Sequence, residues 1–289
     1  MIISQTPLRV SFLGGGSDLA SYYRRHGGGV LSTAIDHSIY VTVSKKFDDA
    51  IRVSYSRTEE VSHVSEIDHP LVREALGMLT IDGGLEITSV ADIPAKGTGL
   101  GSSSSFTVGL LNALHAYSGR HTSAAKLAEE SCEIEIGRCG EPIGKQDQYA
   151  AAFGGFNFIR FNQDDTVEVQ KVLCPREVIA DLESRLLFFY TGITRSASNL
   201  LRDQSKSLSM AGPEEEAMKQ MVKMAETAYE DICAGKIETL GAMLDEAWTL
   251  KKSLSPEISN PVIDDAYSAA RAAGAQGGKL LGAGGGGFL

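Results

Sequence analysis

The segment 94–105, P-A-K-G-T-G-L-G-S-S-S-S, constrains this chain more than any other. Its alternating glycines allow backbone N–H groups to converge on an anion. The apolar spacing that follows predicts a helix beginning near Ser102, and the first turn of a helix adds free amides and a positive dipole end. The serine hydroxyls can bind phosphate oxygens or a hard cation. The predicted phosphate-binding residues are Lys96, Gly97, Gly99, Leu100, Gly101, Ser102, Ser103 and Ser104.

An alternative interpretation is a glycine-rich loop that only joins a strand to a helix. The four adjacent serines favour a ligand-binding loop over a plain connection. Two common nucleotide-binding signatures are absent from this loop. It is not a Walker A loop, because no G-K-[ST] closes it, and it does not match G-x-G-x-x-G, because residue 102 is serine where the last glycine would stand. The loop alone therefore predicts an anion site, with phosphate and magnesium as its natural ligands.

Length and charge narrow the class of protein. A chain of 289 residues favours two domains that share an interface, and 43% apolar with 22% charged residues is ordinary globular usage. The net charge of -10 argues against a nucleic-acid partner. The four cysteines form no C-x-x-C pair, which predicts reduced thiols and no structural zinc. Without a long apolar run, we expect a cytoplasmic protein with no membrane partner.

Hydrophobic periodicity predicts strands first and helices later in the chain. Ser123 is the expected N-cap of one helix, and Gly140 with Pro142 ends it. A buried strand is expected at 185–190, and the domain boundary near residue 175. The predicted strands are 8–13, 29–35, 38–45, 51–55, 85–90 and 185–190, and the predicted helices are 71–79, 102–116, 123–138, 197–208, 214–233, 240–250 and 261–273.

The loop P-x-x-G-x-G-L-G-S-S-S resembles the second motif of the GHMP kinases, the superfamily of galactokinase, homoserine, mevalonate and phosphomevalonate kinases. Residues 7–18, P-L-R-V-S-F-L-G-G-G-S-D, resemble the first motif, and residues 279–287, K-L-L-G-A-G-G-G-G, the third. The three motifs follow in family order. The resemblance implies an α+β fold with two domains: an ATP-binding ribosomal protein S5 domain 2-like domain at 1–175 and a ferredoxin-like domain at 176–289, without the final strand and helix usual in the family.

The turn at residues 142–149, P-I-G-K-Q-D-Q-Y, resembles the catalytic turn of the galactokinase-like members, P-x-G-x-x-D-Q-[FY]. The resemblance makes Asp147 the catalytic carboxylate and places Arg9 beside it. Glu135, seven residues before Pro142, would bind Mg²⁺ together with Ser103. Each carboxylate also has a plainer interpretation, a solvated helix face for Glu135 and a helix N-cap for Asp147.

The first motif and residues 190–198, Y-T-G-I-T-R-S-A-S, look like the branch that contains heptose 7-phosphate 1-kinases and fucokinases. This resemblance implies ATP, Mg²⁺ and a phosphosugar substrate. The distal phosphate of such a substrate needs a basic pocket in this acidic chain, and the candidates by position are Arg195, Arg202, Lys171 and Lys206. A free-sugar 1-kinase such as a fucokinase and a catalytically silent sugar sensor remain as alternatives, and a homodimer is compatible with the sequence. The expected substrate-binding residues are Gly15, Gly16, Ser17, Asp18, Asp147, Arg195, Gly284 and Gly285.

Overall fold

A computed structural model describes residues 1–93, 97–194, 200–202 and 212–289. Within these residues a seven-stranded sheet has the order β4-β3-β5-β2-β6-β7, and β1 pairs with β2 off that path. Strands β3 and β5 are parallel, and the other pairs are antiparallel. The strands are β1 (Ile2–Leu13), β2 (Gly28–Lys45), β3 (Ile51–Ser54), β4 (Thr58–Val61), β5 (Leu85–Ala91), β6 (Phe156–Phe161) and β7 (Val167–Lys171).

Strand β2 is the centre of the sheet and replaces two strands predicted at 29–35 and 38–45. Its first half pairs with β6 and its second half with β5, while β1 pairs along almost its whole length. The polar pair Asp36 and His37 does not end the strand, because β1 pairs with β2 on both sides of it, Arg9 with Ala34 and Pro7 with Ser38. The register of β1 shifts between Pro7 and Arg9. Such an irregularity re-aims side chains, and here the N–H of Arg9 donates to the carbonyl of Leu100, outside the sheet, at 3.1 Å.

The helices predicted at 71–79, 102–116, 123–138, 214–233, 240–250 and 261–273 are present, whereas those at 20–26, 146–153 and 176–184 are not among the predicted helices. The side chain of Ser123 accepts a hydrogen bond from the Lys126 N–H at 3.2 Å, which confirms it as an N-cap, and α4 continues into a π-helical turn, Glu133–Arg138. The helices are α1 (Ala20–His26), α2 (Pro70–Leu79), α3 (Ser102–Tyr117), α4 (Ala124–Cys132), α5 (Gln146–Phe153), α6 (Arg176–Ser184), α7 (Pro213–Cys233), α8 (Leu240–Ser253) and α9 (Pro261–Ala272).

One hydrophobic core joins the sheet to the carboxyl-terminal helices. Helix α3 packs on β1 and β2, and α7 also packs on β2 while contacting α8. Leu8, Leu31 and Leu110 are fully buried on the sheet side of this core, and Trp248 of α8 is buried on the other. The two halves therefore hold the loops between them in place, and the division at residue 175 stays a prediction.

The buried strand predicted at 185–190 is wrong. The side chains of residues 187–190 are exposed, Leu187 to 75%, and Tyr190 forms only an isolated bridge with Phe288. The Phe189 N–H donates to the carbonyl of Leu289 and the Leu289 N–H to that of Phe189, so the backbone pairs along one edge only, without a covering layer among the described residues. Of the helix predicted at 197–208, only residues 200–202 are described, and they are helical. No helix in the described part of the chain is long and apolar enough to cross a bilayer.

Candidate active site

The three glycine motifs line one cavity of about 550 Å³. β1 and the loop after it carry the first motif, the loop before α3 the second, and the segment after α9 the third. The turn before α5 lines the same cavity, as does Asp147, the second residue of α5. The polar side chains that line the cavity include those of Arg9, Asp18, Ser103, Asp147 and Lys251.

The second motif delivers the amino end of α3 to the cavity. Gly101 has a φ of +76° and precedes the first residue of α3, Ser102. A Cβ atom at Gly101 would also lie 3.2 Å from Cγ of Arg9, so the turn depends on glycine. The free N–H groups of the first turn of a helix form a ready anion site. Gly97, Gly99, Leu100, Gly101, Ser102, Ser103 and Ser104 all line the cavity, whereas Lys96 lies outside the described residues.

The second and third motifs touch backbone to backbone. A Cβ at Gly99 would lie 2.5 Å from the carbonyl oxygen of Leu281, and one at Gly282 would lie 2.7 Å from Cα of Gly99. Similarly, a Cβ at Gly287 would lie 2.5 Å from the Thr98 carbonyl oxygen. Any side chain at these positions would push the two loops apart.

Arg9 and Asp147 form the bidentate pair that the sequence predicts as neighbours. Nε of Arg9 donates to Oδ1 of Asp147 at 2.8 Å, and Nη2 donates to Oδ2 at 2.7 Å. Nη1 of Arg9 donates to the carbonyl of Gly99 at 2.6 Å, which ties the pair to the phosphate loop. Arg9 is 3% exposed, while the Asp147 side chain keeps 25% of its surface open to the cavity. Asp147 is thus held in a fixed orientation with room for a ligand.

Glu135 is buried beside the start of α3 rather than lying on a solvated helix face. Its Oε1 accepts from Ser103 at 2.7 Å, and its Oε2 accepts from Ser104 at 2.7 Å and from the Gln148 side-chain amide at 2.6 Å. Burial raises the pKa of Glu135, and the three donors act in the opposite direction. The structure therefore brings Ser103 and Glu135 into direct contact.

This carboxylate and hydroxyl suit Mg²⁺, which binds oxygen ligands and usually combines one or two carboxylates with substrate phosphates. The described residues contain no group of three or more His, Cys, Asp or Glu side chains that could hold a metal ion alone. A cation at Ser103 and Glu135 would therefore complete its coordination with phosphate oxygens and water.

Asp18 is buried and also lines the cavity. Its Oδ1 accepts from the Gly16 N–H at 2.9 Å and from the Gln146 side chain at 3.0 Å, and its Oδ2 accepts from the Gln146 N–H at 3.1 Å. Burial raises the pKa of Asp18, and the nearby charge of Asp147 raises it further. Asp18 is aimed into the cavity by neutral donors and has no cationic partner of its own among the described residues.

The remaining predicted substrate residues divide into two groups. Gly16 and Gly284 line the cavity, but Gly15, Ser17 and Gly285 do not. The Ser17 hydroxyl is turned away, because it accepts from the Gly29 N–H at 3.1 Å, and the Gly285 N–H donates to the carbonyl of Ile258 at 2.9 Å. Arg195 and Lys206 lie outside the described residues.

Sequence reasoning missed Lys251, a cavity residue on α8 that is only 5% exposed. Its Nζ donates to the carbonyl of Gly282 at 2.9 Å. Burial lowers the pKa of Lys251 to about 8. A signal was present, since Lys251 continues the apolar spacing of Leu244, Ala247 and Trp248 along one face of α8.

Comparison with known families agrees with this geometry. Residues 65–155 match the model of the GHMP kinases N terminal domain, and residues 228–289 match that of the GHMP kinases C terminal domain. The chain belongs to the GHMP kinases, and it is an ATP-dependent kinase.

Three individual kinases are similar to this chain along most of their length. The chain is 31% identical to the D-glycero-alpha-D-manno-heptose 7-phosphate kinase of Campylobacter jejuni, over 100% of this chain and 88% of that protein. It is 28% identical to the galactokinase of Pyrococcus furiosus, over 99% and 87%. Among solved structures, a D-glycero-D-manno-heptose 1-phosphate kinase from Bacteroides thetaiotaomicron superposes with a TM-score of 0.80 at 26% identity, covering 100% of this chain and 87% of that one.

Proposed function

We propose that this chain transfers the γ-phosphoryl group of ATP to the anomeric hydroxyl of D-glycero-D-manno-heptose 7-phosphate and forms the 1,7-bisphosphate, a precursor for nucleotide-activated heptose. The observation that carries the proposal is the Arg9–Asp147 pair, which faces the same cavity as the amino end of α3. Kinases that act on heptose phosphates and on galactose among the relatives support a sugar kinase, and the heptose 7-phosphate kinase of C. jejuni supports this acceptor.

Phosphoryl transfer depends mainly on positioning and on neutralising charge at the transferred group. In the proposed reaction the acceptor oxygen bonds to the γ-phosphorus, the bond from that phosphorus to the ADP oxygen breaks, and the acceptor proton passes to Asp147. The guanidinium of Arg9 holds the Asp147 carboxylate in a fixed orientation through two hydrogen bonds. The amides at the start of α3 would hold the phosphates of ATP.

Ser103 and Glu135 would hold a magnesium ion with those phosphates. When bound, the ion supplies positive charge to the phosphate oxygens. Gln148 and Ser104 keep the Glu135 carboxylate in place through their own hydrogen bonds. Asp18, which also lines the cavity, would accept hydrogen bonds from sugar hydroxyls.

A substrate panel tests the acceptor. ADP formation is measured with ATP and Mg²⁺ against D-glycero-D-manno-heptose 7-phosphate, the free heptose, fucose, galactose and mannose, and the product is located by phosphorus NMR. We expect the phosphorylated heptose to have the highest kcat/KM and the new phosphate to be at the anomeric carbon. Preferential use of fucose or another free sugar would overturn the acceptor and favour the fucokinase-like alternative.

A further inference from the structure

Lys251 places a buried positive charge in the cavity, and no described residue forms an ion pair with it. Among the described residues its hydrogen-bond partner is the Gly282 carbonyl, a neutral group, and no carboxylate there forms an ion pair with it. An ammonium group has three donors, so the hydrogen bond to Gly282 leaves two of them. A buried charge is costly unless it is paired. The ammonium group of Lys251 therefore has the charge and the remaining donors to bind an anion.

The charged side chains of Arg9 and Asp18, which also line the cavity, already have hydrogen-bond partners. Arg9 uses its guanidinium on Asp147 and on the carbonyl of Gly99. Asp18 accepts hydrogen bonds from Gly16 and Gln146. Asp18 and Asp147 act on Lys251 only as more distant charges.

The second buried lysine near this site has a different position. Nζ of Lys279 donates to the carbonyl of Ser11 at 2.9 Å, and Lys279 is absent from the lining of the large cavity. It lines, together with Lys251, a separate void of about 10 Å³ beneath Gly14 and Gly15. Such a space holds one water molecule at most. Lys251 is therefore the lysine that a ligand in the large cavity can reach.

We propose that Lys251 is a phosphate-binding residue of this cavity. The phosphate comes either from the γ-phosphoryl group of ATP or from the sugar acceptor, and the second source rests on the proposed function. In both cases the ammonium supplies a charge-assisted hydrogen bond to a phosphate oxygen. The tie to Gly282 holds the third glycine motif against that phosphate.

The test compares Lys251→Met with wild type by calorimetric titration. Methionine keeps the apolar stem and removes the charge. Three probes are used: AMP-PNP with Mg²⁺, D-glycero-D-manno-heptose 7-phosphate and the unphosphorylated heptose. Binding of one phosphorylated probe should weaken about tenfold to a hundredfold, and binding of the free heptose should stay unchanged. Weakening of AMP-PNP alone assigns the phosphate to ATP, and weakening of the sugar phosphate alone assigns it to the acceptor.

The neighbouring Lys252→Met is the matched control. Nζ of Lys252 pairs with Asp264 at 3.1 Å and lies over the Trp248 ring, outside the cavity lining. It should leave all three affinities unchanged. Lys251→Arg should restore part of the lost affinity if Lys251→Met fails through lost charge, and thermal unfolding of each variant verifies folding.

Two failures can be told apart. If wild type does not bind the heptose phosphate, the proposed acceptor is wrong, and the AMP-PNP arm still decides the role of Lys251. If folded Lys251→Met binds every probe that wild type binds with unchanged affinity, or loses the free heptose as strongly as the phosphorylated one, Lys251 does not bind phosphate.

Discussion

Gly144 packs so tightly on Asp18 that a Cβ atom at position 144 would lie 1.9 Å from Oδ2 of Asp18 and 2.8 Å from its backbone carbonyl carbon. Both residues line the cavity. The contact joins the first motif to the turn that carries Asp147, which is three residues further along the chain. A side chain at 144 would therefore displace a candidate acceptor ligand and the candidate base together.

Gly144→Ala should reduce kcat/KM for the sugar about a hundredfold, since misplacement by about 1 Å has that effect in enzyme sites. Affinity for AMP-PNP should change little, because the α3 loop lies elsewhere in the cavity. Steady-state kinetics and nucleotide titration measure the two effects.

Gly77→Ala in α2 is the control, because a Cβ there meets no atom within 4 Å. It should leave kinetics intact and raise the free energy of unfolding by about 0.5–1 kcal/mol. Equal kinetic losses in the two variants would show that the Asp18 contact is not the cause.

Asp147→Asn tests the candidate base. Asparagine keeps the size of the side chain but cannot take up the acceptor proton, and it cannot accept both hydrogen bonds from Arg9. We expect kcat to fall about 10²–10⁴-fold with little change in AMP-PNP affinity. Asp265→Asn, at an exposed position of α9, serves as the control. Undiminished turnover in Asp147→Asn would remove Asp147 from the mechanism.

Glu135→Gln tests the candidate magnesium site. The substitution keeps the length of the side chain and removes the negative charge that Ser103, Ser104 and Gln148 surround. The Mg²⁺ concentration for half-maximal activity should rise at least about tenfold. Even the loss of a residue that only hydrogen-bonds to a metal ligand weakens metal binding by about that factor. Titration of AMP-PNP at several Mg²⁺ concentrations gives a second readout. An unchanged Mg²⁺ requirement would exclude Glu135 as a ligand, and Glu129→Gln, on the exposed side of α4, is the comparison.

The buried charge of Lys251 should make stability depend on pH. Burial lowers the pKa of Lys251 from 10.5 to about 8; Arg9 lowers it as well, and Asp18 and Asp147 oppose the change. Lys279 also lies close to Lys251. Between pH 8 and 10.5 Lys251 is protonated more in the unfolded chain than in the folded one. The free energy of unfolding therefore increases as pH rises through this range. Below pH 8 the cost of burying the ammonium is present in full.

Lys251→Met should therefore be more stable than wild type at pH 7, by up to about 3 kcal/mol, less the hydrogen bond to Gly282. This advantage should shrink as pH approaches 10.5. Urea unfolding at pH 7, 9 and 10.5 measures the difference, with Lys252→Met as control. A difference that stays constant or grows with pH would contradict the buried charge.

Residues inside recognisable motifs could be placed from the sequence. The resemblance to the galactokinase-like catalytic turn selects Glu135 and Asp147, and the structure holds these side chains near Ser103 and Arg9. Their roles in catalysis and metal binding stay predictions. What the motifs leave out, such as the hydrogen bond from Gln148 to Glu135, depends on how α5 packs on the π-helical turn.

The remaining differences have physical causes that one-dimensional patterns do not contain. The continuous apolar run at 186–190 indicates a strand but does not say whether a layer covers it. The polar pair at 36–37 looks like a break, yet β1 pairs with β2 on both sides of it, across a shift in register. Lys251 is charged and therefore reads as surface, although its spacing on α8 puts it on the buried face.

The backbone contact between Gly99 and Gly282 limits how an enzyme of this design can change its preferred acceptor. Where these two loops meet, the contact is made by main-chain atoms, so there are no side chains to exchange. A Cβ atom at either glycine would separate the loops. New selectivity has to arise from side chains that line the cavity, such as those of Leu19, Ile143 and Thr194. Libraries aimed at new sugars should diversify those three positions and leave the glycines untouched.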